Sequence, residues 1–243
     1  VVALKFIRTD IVGGDTAEQV LRFRREAQIM TRLSLHCIPT VYEYATAAGQ
    51  DYIAMEFIDG QTLEQRLRKG RVPVVESVGR ARDLTSALVA AHAKGILHRD
   101  MKPGNVMISS NGKTKLMDFG LGWMSVGSGS TISSLADVTQ GEFRGGTLRY
   151  LSPEVALGVE VDHRADIYGL GMILFESVTG VHPYSSNSMA EAVYAAAHRT
   201  APRPSLINSE VGPRLEAIIL GCLAKTPGER YESAKALLIA LEE

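Results

Sequence analysis

The sequence predicts an α+β protein with strands concentrated near the start of the chain and helices in the remainder. Residues 1–7 are apolar and rich in β-branched side chains, which favour a strand. Two further strand-like runs, 41–44 and 52–57, flank the short connection 47–50, as in a hairpin. Beyond Gly60 the spacing of apolar residues is helical.

Helices are indicated where apolar residues recur on one face. These positions are Leu84, Leu88 and Ala91; Ile218 with 220–222; and Leu237, Leu238 and Leu241. An earlier helix is expected from Thr16 to about Leu33, because Gly13-Gly14-Asp15 breaks the first strand and Thr16 can cap a helix. Residues 125–146 are rich in Ser, Thr and Gly, which predicts a mobile loop.

Composition excludes several classes of protein. A net charge of −1 gives no reason to expect nucleic acid or an anionic membrane as a partner, and no apolar run approaches a membrane span of about 18 residues. With only Cys37 and Cys222, a disulfide framework is not expected, and a reducing, cytoplasmic location fits. Residues 1–7 read as a strand that has already begun, so we expect the chain to be part of a longer protein.

The most informative stretch combines a general base, a cation and two oxygen ligands. It reads His98-Arg99-Asp100-Met101-Lys102-Pro103-Gly104-Asn105, followed after thirteen positions by Asp118-Phe119-Gly120. Asp100 can accept a hydroxyl proton, and Lys102 can neutralise a travelling phosphoryl group. Asn105 and Asp118 offer the hard oxygen ligands that Mg²⁺ prefers. This set of groups is what phosphoryl transfer requires.

Either motif alone is short enough to occur by chance, but the two together resemble the signature of protein kinases. The resemblance implies a two-lobed kinase catalytic domain over residues 1–243 with ATP in the cleft between the lobes. Residues 1–58 would form a small, incomplete N-lobe and the hinge, and residues 59–243 a large helical C-lobe. The activation segment would span about residues 118–154.

The resemblance also assigns nucleotide-binding roles. Lys5, in Val2-Ala3-Leu4-Lys5, resembles the lysine that holds the α- and β-phosphates of ATP. Its expected partner is a helical glutamate about twenty residues later. Glu26 fits this position best, and Glu18 is the other candidate.

The adenine pocket is assigned in the same way. Met55 resembles the residue at the back of the pocket, and the backbone from Glu56 to Ile58 resembles the hinge that bonds adenine. Ala3 and Met107 would sandwich the ring, although ordinary core packing is the alternative for both.

The later part of the chain continues the resemblance. Residues 146–154 resemble the end of an activation segment, and this peptide platform closes with Ser152-Pro153-Glu154. Arg230 is the expected ion-pair partner of Glu154. Asp166 resembles the buried helix start that holds the catalytic loop.

The kind of hydroxyl that is phosphorylated is indicated by Lys102 and Thr147. At these positions the chain resembles serine/threonine kinases, and the two side chains would brace Asp100 from two sides. The chain is most similar to the eukaryotic-like serine/threonine kinases of bacteria. That similarity implies ATP and Mg²⁺ as cofactors, with Mn²⁺ as an alternative ion. It also implies protein substrates with Ser or Thr, and a monomer or weak dimer. The alternative is a kinase-fold scaffold or binding protein with impaired catalysis.

Three departures from the family pattern affect these expectations. No G-x-G-x-x-G occurs in the 243 residues, so either the chain is a fragment or the protein lacks this phosphate-covering loop. Trp123 and Gly104 replace residues that often hold an activation-loop phosphate or a basic substrate.

A regulatory site is expected within the loop. Thr139 resembles the phosphorylated threonine of bacterial kinases, and Arg99 is the expected partner of its phosphate. The alternative is that Thr139 is equivalent to the other hydroxyl residues of the loop.

Overall fold

The computed structural model describes residues 1–6, 31, 33, 35–47, 50–119, 147–184 and 188–243. The strands in these ranges are β1 (Val2–Phe6), β2 (Val41–Ala47), β3 (Gln50–Glu56), β4 (Gly60–Thr62), β5 (Val106–Ser109) and β6 (Thr114–Leu116). The α-helices are α1 (Leu63–Leu67), α2 (Val74–His92), α3 (Pro153–Leu157), α4 (Arg164–Thr179), α5 (Met189–His198), α6 (Pro213–Cys222) and α7 (Ala234–Glu242). Short 3₁₀ helices cover Pro103–Asn105, Thr147–Tyr150, Pro204–Leu206 and Pro227–Glu229.

An antiparallel sheet with strand order β1-β3-β2 forms the N-terminal part. Ala3 of β1 pairs with Met55 of β3, and Lys5 pairs with Ile53. Because side chains alternate along a strand, Ala3 and Lys5 share one face, and both are half-buried. This register places Lys5 on the face that turns toward the C-terminal part, where it contacts Asp118.

A second antiparallel sheet, ordered β4-β5-β6, begins directly after residues 57–59. The helical spacing of apolar residues beyond Gly60 did not predict these three short strands. Strands of three or four residues are too short to show an alternating pattern. The sheet is important for the site because β6 ends two residues before Asp118.

The C-terminal part is built around the buried helix α4, against which α2 and α6 pack. Almost every residue of α4 is buried, which is the pattern of a helix in the centre of a core. Leu84, Leu88 and Ala91 of α2 are fully buried, which confirms the helical face predicted from their spacing. Within the described ranges, no helix has both the length and the apolar character needed to cross a membrane.

Helix α4 approaches residues 98–105 closely because position 169 is glycine. A Cβ atom on Gly169 would lie 2.5 Å from the Cβ of Met101 and 3.3 Å from its carbonyl oxygen. Met101 is buried, so it has little room to move away. The absence of a side chain at Gly169 therefore sets the distance between the helix and this loop.

We predict that Gly169→Ala destabilises the protein by about 1–3 kcal/mol, as overpacking of a filled core does. The matched control is Gly79→Ala in α2, where an added Cβ would meet no atom within 4 Å. That change should stabilise the protein by about 0.5–1 kcal/mol, because alanine favours a helix over glycine. Urea unfolding of both variants measures the difference, and equal effects would contradict the close approach at Met101.

A buried ion pair joins helix α3 to the 3₁₀ helix Pro227–Glu229. The guanidinium of Arg230 donates two hydrogen bonds to the carboxylate of Glu154, at 2.8 and 2.7 Å, and both side chains are fully enclosed. Arg230 also donates to the carbonyl oxygens of Arg164, Ala224 and Lys225. The expected partnership of Glu154 and Arg230 is present, and it fixes where α3 begins.

Removal of one partner should leave a buried charge uncompensated. We predict that Arg230→Met lowers the free energy of unfolding by about 3–5 kcal/mol. The control is Arg214→Met, which removes the exposed pair with Glu243 at 2.8 Å and should cost less than about 1 kcal/mol. Chemical denaturation of the two variants distinguishes these outcomes, and a small loss for Arg230→Met would contradict the role of the buried pair.

Candidate active site

The loop of residues 98–105, here called the catalytic loop, is held at its start by the buried carboxylate of Asp166. The backbone N–H groups of His98 and Arg99 donate to its two oxygens, each at 2.8 Å. The imidazole Nε2 of His92 lies 2.8 Å from Oδ2 of the same carboxylate. Burial opposes ionisation of Asp166, but the hydrogen bonds from His92 and the loop outweigh it and lower its pKa. Asp166 is therefore a charged acceptor for three donors.

Two non-glycine residues of the site have left-handed backbone conformations. The φ angles are 64° at Arg99 and 59° at Asp118. Such conformations cost about 1–3 kcal/mol each and persist only where surrounding bonds maintain them. Arg99 is held by its N–H bond to Asp166, and Asp118 follows Met117, whose backbone is bonded to Asn105 and His98.

The carboxylate of Asp100 is braced on one oxygen. Lys102 Nζ donates to Oδ2 at 2.6 Å, and the amide nitrogen of Asn105 donates to the same oxygen at 2.8 Å. The Asn105 amide also donates to the carbonyl oxygen of Asp100 at 2.8 Å. These bonds fix the direction of the carboxylate and leave Oδ1 as the oxygen that neither Lys102 nor Asn105 contacts.

The catalytic loop is bonded to the segment that carries Asp118. Burial lowers the pKa of His98, so its imidazole is neutral and carries one N–H. The backbone N–H of Asp100 donates to Nδ1 at 3.2 Å, which places the ring hydrogen on Nε2. Nε2 then donates to the carbonyl oxygen of Met117 at 2.7 Å, and the ring packs edge-on against Phe119. The two motifs thus form one rigid unit.

Lys5 and Asp118 face each other from the two parts of the molecule. The Lys5 Nζ donates to Asp118 Oδ1 at 2.6 Å, and each side chain is about one third exposed, 33% and 35%. Both groups are open to solvent. The ammonium of Lys5 can pair with a negatively charged phosphate, and the carboxylate of Asp118 can bind the metal ion that accompanies it. The pair therefore fits a nucleotide–metal group.

The residues also fit a Mg²⁺ ion. Both hydrogen bonds of Asn105 use its amide nitrogen, so its carbonyl oxygen points away from Asp100. The backbone N–H of Met117 donates to the backbone carbonyl oxygen of Asn105 at 2.8 Å, which keeps Asn105 close to Asp118. In the described ranges no cluster of three or more His, Cys, Asp or Glu could hold a metal. Mg²⁺ needs no such cluster, because one or two protein ligands and substrate phosphates hold it.

The expected hinge is fixed by an ion pair from β6. Lys115 Nζ donates to Glu56 Oε2 at 2.7 Å, and the backbone N–H of Thr40 donates to the same oxygen at 3.1 Å. Burial opposes ionisation of Glu56, but the bond from Lys115 outweighs it and lowers its pKa. Met55 and Ile58, on either side, are buried.

Two of the remaining expected site residues lie on strands, and the side chains of the others are not described by the structure. Ala3 lies in β1 opposite Met55, and Met107 lies in β5 opposite Lys115. Glu26 and Thr139 lie outside the described residues, as does the side chain of Thr147.

Two residues of the site were missed by sequence reasoning. His92 had a usable signal, because it lies four residues after Leu88 and eight after Leu84 on the buried face of α2. Lys115 had none, since a lysine within the three-residue strand β6 gives no indication that it points inward.

Comparisons with known proteins agree with this geometry. A family model described as the protein kinase domain matches residues 1–239. A probable serine/threonine-protein kinase of Streptomyces coelicolor is 37% identical and covers 99% of this chain and 35% of its own length. The serine/threonine-protein kinase PknB of Mycolicibacterium smegmatis is 37% identical, covering 100% of this chain and 39% of its own. The chain thus spans between a third and two fifths of these curated relatives.

The fold is shared with solved kinase structures. The crystal structure of the PknI kinase domain of Mycobacterium tuberculosis is 27% identical, with a TM-score of 0.72 over 99% of this chain and 84% of that chain. The expected two-lobed kinase fold and the similarity to bacterial serine/threonine kinases are therefore confirmed. Because the family match covers almost the whole chain, the chain belongs to the protein kinase domain family.

Proposed function

We propose that this domain is a serine/threonine protein kinase that transfers the γ-phosphate of ATP to hydroxyls of protein substrates. The observation that carries the proposal is the carboxylate of Asp100, braced by Lys102 and Asn105 and bonded through its loop to the segment of Asp118. The names of the curated relatives support the acceptor class.

The transfer step assigns one role to each braced group. The substrate hydroxyl oxygen forms a bond to the γ-phosphorus while the bond from that phosphorus to the bridging oxygen of ADP breaks. The hydroxyl proton passes to Oδ1 of Asp100, the oxygen that Lys102 and Asn105 leave free of their bonds. Lys102 lies beside this carboxylate and neutralises negative charge on the moving phosphoryl group.

The nucleotide is held by residues on both sides of the cleft. Lys5 exchanges its contact with Asp118 for the α- and β-phosphates, and Glu26 is the proposed partner of Lys5. Asn105 and Asp118 would hold Mg²⁺, which neutralises phosphate charge when bound. Mn²⁺ would occupy the same oxygen ligands.

The adenine ring would bind at the hinge. Glu56 donates its own backbone N–H to Thr40, so its carbonyl is the group that it can offer to adenine. The backbone of Ile58 would supply the other hinge contact, with Met55 behind the ring and Ala3 and Met107 on its faces. The lobe boundary would then lie near residue 58.

Regulation would act through the segment of about residues 118–154. Phosphorylation of Thr139 would add about −1.5 to −2 charges and order this segment by pairing with Arg99. The side chain of Thr147 would brace Asp100 opposite Lys102.

We place the domain in the cytoplasm, where ATP is supplied and thiols stay reduced. Both cysteines, Cys37 and Cys222, are free and buried, and burial raises their pKa to about 11 and about 12. They are therefore unreactive thiols that need no oxidising compartment.

The direct test is to incubate the full-length protein with Mg²⁺-ATP and a mixture of acceptor proteins, then map the phosphorylated residues by mass spectrometry. Phosphoserine and phosphothreonine are expected. Phosphotyrosine alone, or no product, would overturn the proposal.

Asp100→Asn should lower kcat by about 10²–10⁴, the range for loss of a general base, because the amide cannot accept the hydroxyl proton. ATP affinity should stay within about twofold, since Asp100 contacts the acceptor and not the nucleotide. Steady-state transfer and nucleotide titration measure the two effects. Asp83→Asn, at an exposed pair with His36, is the matched control and should retain full activity. Turnover of Asp100→Asn within a few-fold of wild type would remove Asp100 from this role.

Asp118→Asn should act through the metal. Loss of one carboxylate charge weakens Mg²⁺ binding, so the Mg²⁺ concentration that gives half-maximal transfer should rise roughly tenfold or more. A Mg²⁺ titration at saturating ATP, compared with Asp83→Asn, measures this shift. An unchanged Mg²⁺ requirement would count against the metal role of Asp118.

A further inference from the structure

His182 bridges the 3₁₀ helix Thr147–Tyr150 and the segment that follows α4. Its Nε2 lies 2.8 Å from the carbonyl oxygen of Arg149, and its Nδ1 lies 2.8 Å from the carbonyl oxygen and 3.1 Å from the backbone nitrogen of Tyr184. The site is made by a turn, because Gly180 ends α4 with a φ of 76° that a residue with a side chain rarely adopts. This turn directs the chain back toward residues 147–150.

The two contacts of His182 define the direction of its hydrogen bonds. Burial, together with the nearby charge of Arg149, lowers the pKa of His182, so the ring is neutral with one N–H. With the hydrogen on Nε2, the ring donates to the carbonyl oxygen of Arg149 and accepts the N–H of Tyr184, which makes two hydrogen bonds. With the hydrogen on Nδ1, the ring would make only the bond to the Tyr184 carbonyl oxygen, so the Nε2–H tautomer is favoured. The imidazole is therefore an oriented donor to the backbone at residue 149.

The same ring also contacts the next residue of the platform. The rings of His182 and Tyr150 pack edge-on, with centroids 5.3 Å apart. The Tyr150 hydroxyl donates to Glu176 of α4 at 2.5 Å. The backbone of Arg149 and the side chain of Tyr150 are thus fixed from α4 and from the turn after it.

We propose that His182 is a positioning residue for the protein acceptor, acting through the backbone of Arg149 and the ring of Tyr150. This inference rests on the proposed kinase function. Residues 147–150 lead directly into Ser152-Pro153-Glu154, so they belong to the peptide platform that resembles the acceptor-binding surface of kinases. The hydrogen bonds of His182 go to Arg149 and Tyr184 and not to the catalytic loop.

The role predicts a division between acceptor binding and chemistry. Without the imidazole donor, the platform at Arg149 is no longer fixed, and part of the acceptor's binding free energy is used to order it. The KM for the acceptor should therefore rise while the KM for ATP stays the same. Hydrolysis of ATP without an acceptor should also be unchanged, because water needs no platform.

The test compares His182→Phe and wild type in the full-length protein, with myelin basic protein as the acceptor. Phenylalanine keeps a ring against Tyr150 and removes every hydrogen bond of the imidazole to Arg149 and Tyr184. We expect a rise of up to roughly tenfold in KM for the acceptor, as for loss of one intramolecular hydrogen bond. His182→Gln, whose amide nitrogen can donate to Arg149, should recover most of this loss.

The matched control is His163→Phe. His163 also contacts a backbone carbonyl, that of Glu232 at 2.8 Å, and packs edge-on against the ring of His92. The KM of His163→Phe for the acceptor protein should equal that of the wild-type protein.

Three results would overturn the inference for His182. They are an unchanged acceptor KM in His182→Phe, an equal loss of transfer and acceptor-free hydrolysis, and no recovery in His182→Gln. A wild-type protein that neither transfers phosphate nor hydrolyses ATP would instead refute the proposed function, so the two failures are distinguishable.

Discussion

The geometry of the site depends on three hydrogen bonds that converge on the buried carboxylate of Asp166. Two of them come from the backbone at the start of the catalytic loop, and one of these holds Arg99 in a left-handed conformation. A strained residue of this kind costs about 1–3 kcal/mol and relaxes when its bonds are lost. Asp100 follows Arg99 directly, so the anchor at Asp166 sets the backbone path that leads into Asp100. The low pKa of Asp166 keeps that acceptor charged wherever the protein is folded near neutral pH.

Three lysine–carboxylate pairs divide the site into fixed and exchangeable contacts. Lys115 with Glu56 is the fixed pair, since the Lys115 side chain is 11% exposed and Glu56 also accepts the backbone N–H of Thr40. Lys5 with Asp118 is the exchangeable pair, because both side chains are about one third exposed and solvent can replace either partner. The side chain of Lys102 is intermediate in exposure between those of Lys115 and Lys5, and it braces Asp100. The exposure of the lysine therefore separates the pair that shapes the cleft from the pair that we propose receives a nucleotide and its metal ion.

The sequence predicted those features that depend on neighbours along the chain. The catalytic loop was found because its groups lie within eight residues, and α2 was found because its periodic face is long. The strands β4 to β6 were missed because each has three or four residues and is defined by its pairing. Contacts such as Lys115 with Glu56 and Gly169 with Met101 depend on the folded path of the chain, so local pattern carries no signal for them.

Helix α4 connects the two functions that the fold has to coordinate. Asp166 in its first turn holds the catalytic loop, and Glu176 near its end bonds Tyr150 of the peptide platform. Ten residues separate them, so a straight helix sets them about 15 Å apart. Because α4 is buried on nearly all sides, it cannot bend without disturbing the core. The length of one rigid helix thus fixes the distance between the anchor of the loop that carries Asp100, the proposed proton acceptor, and Tyr150 of the proposed acceptor-binding surface. The turn that ends this helix carries His182 to the same surface.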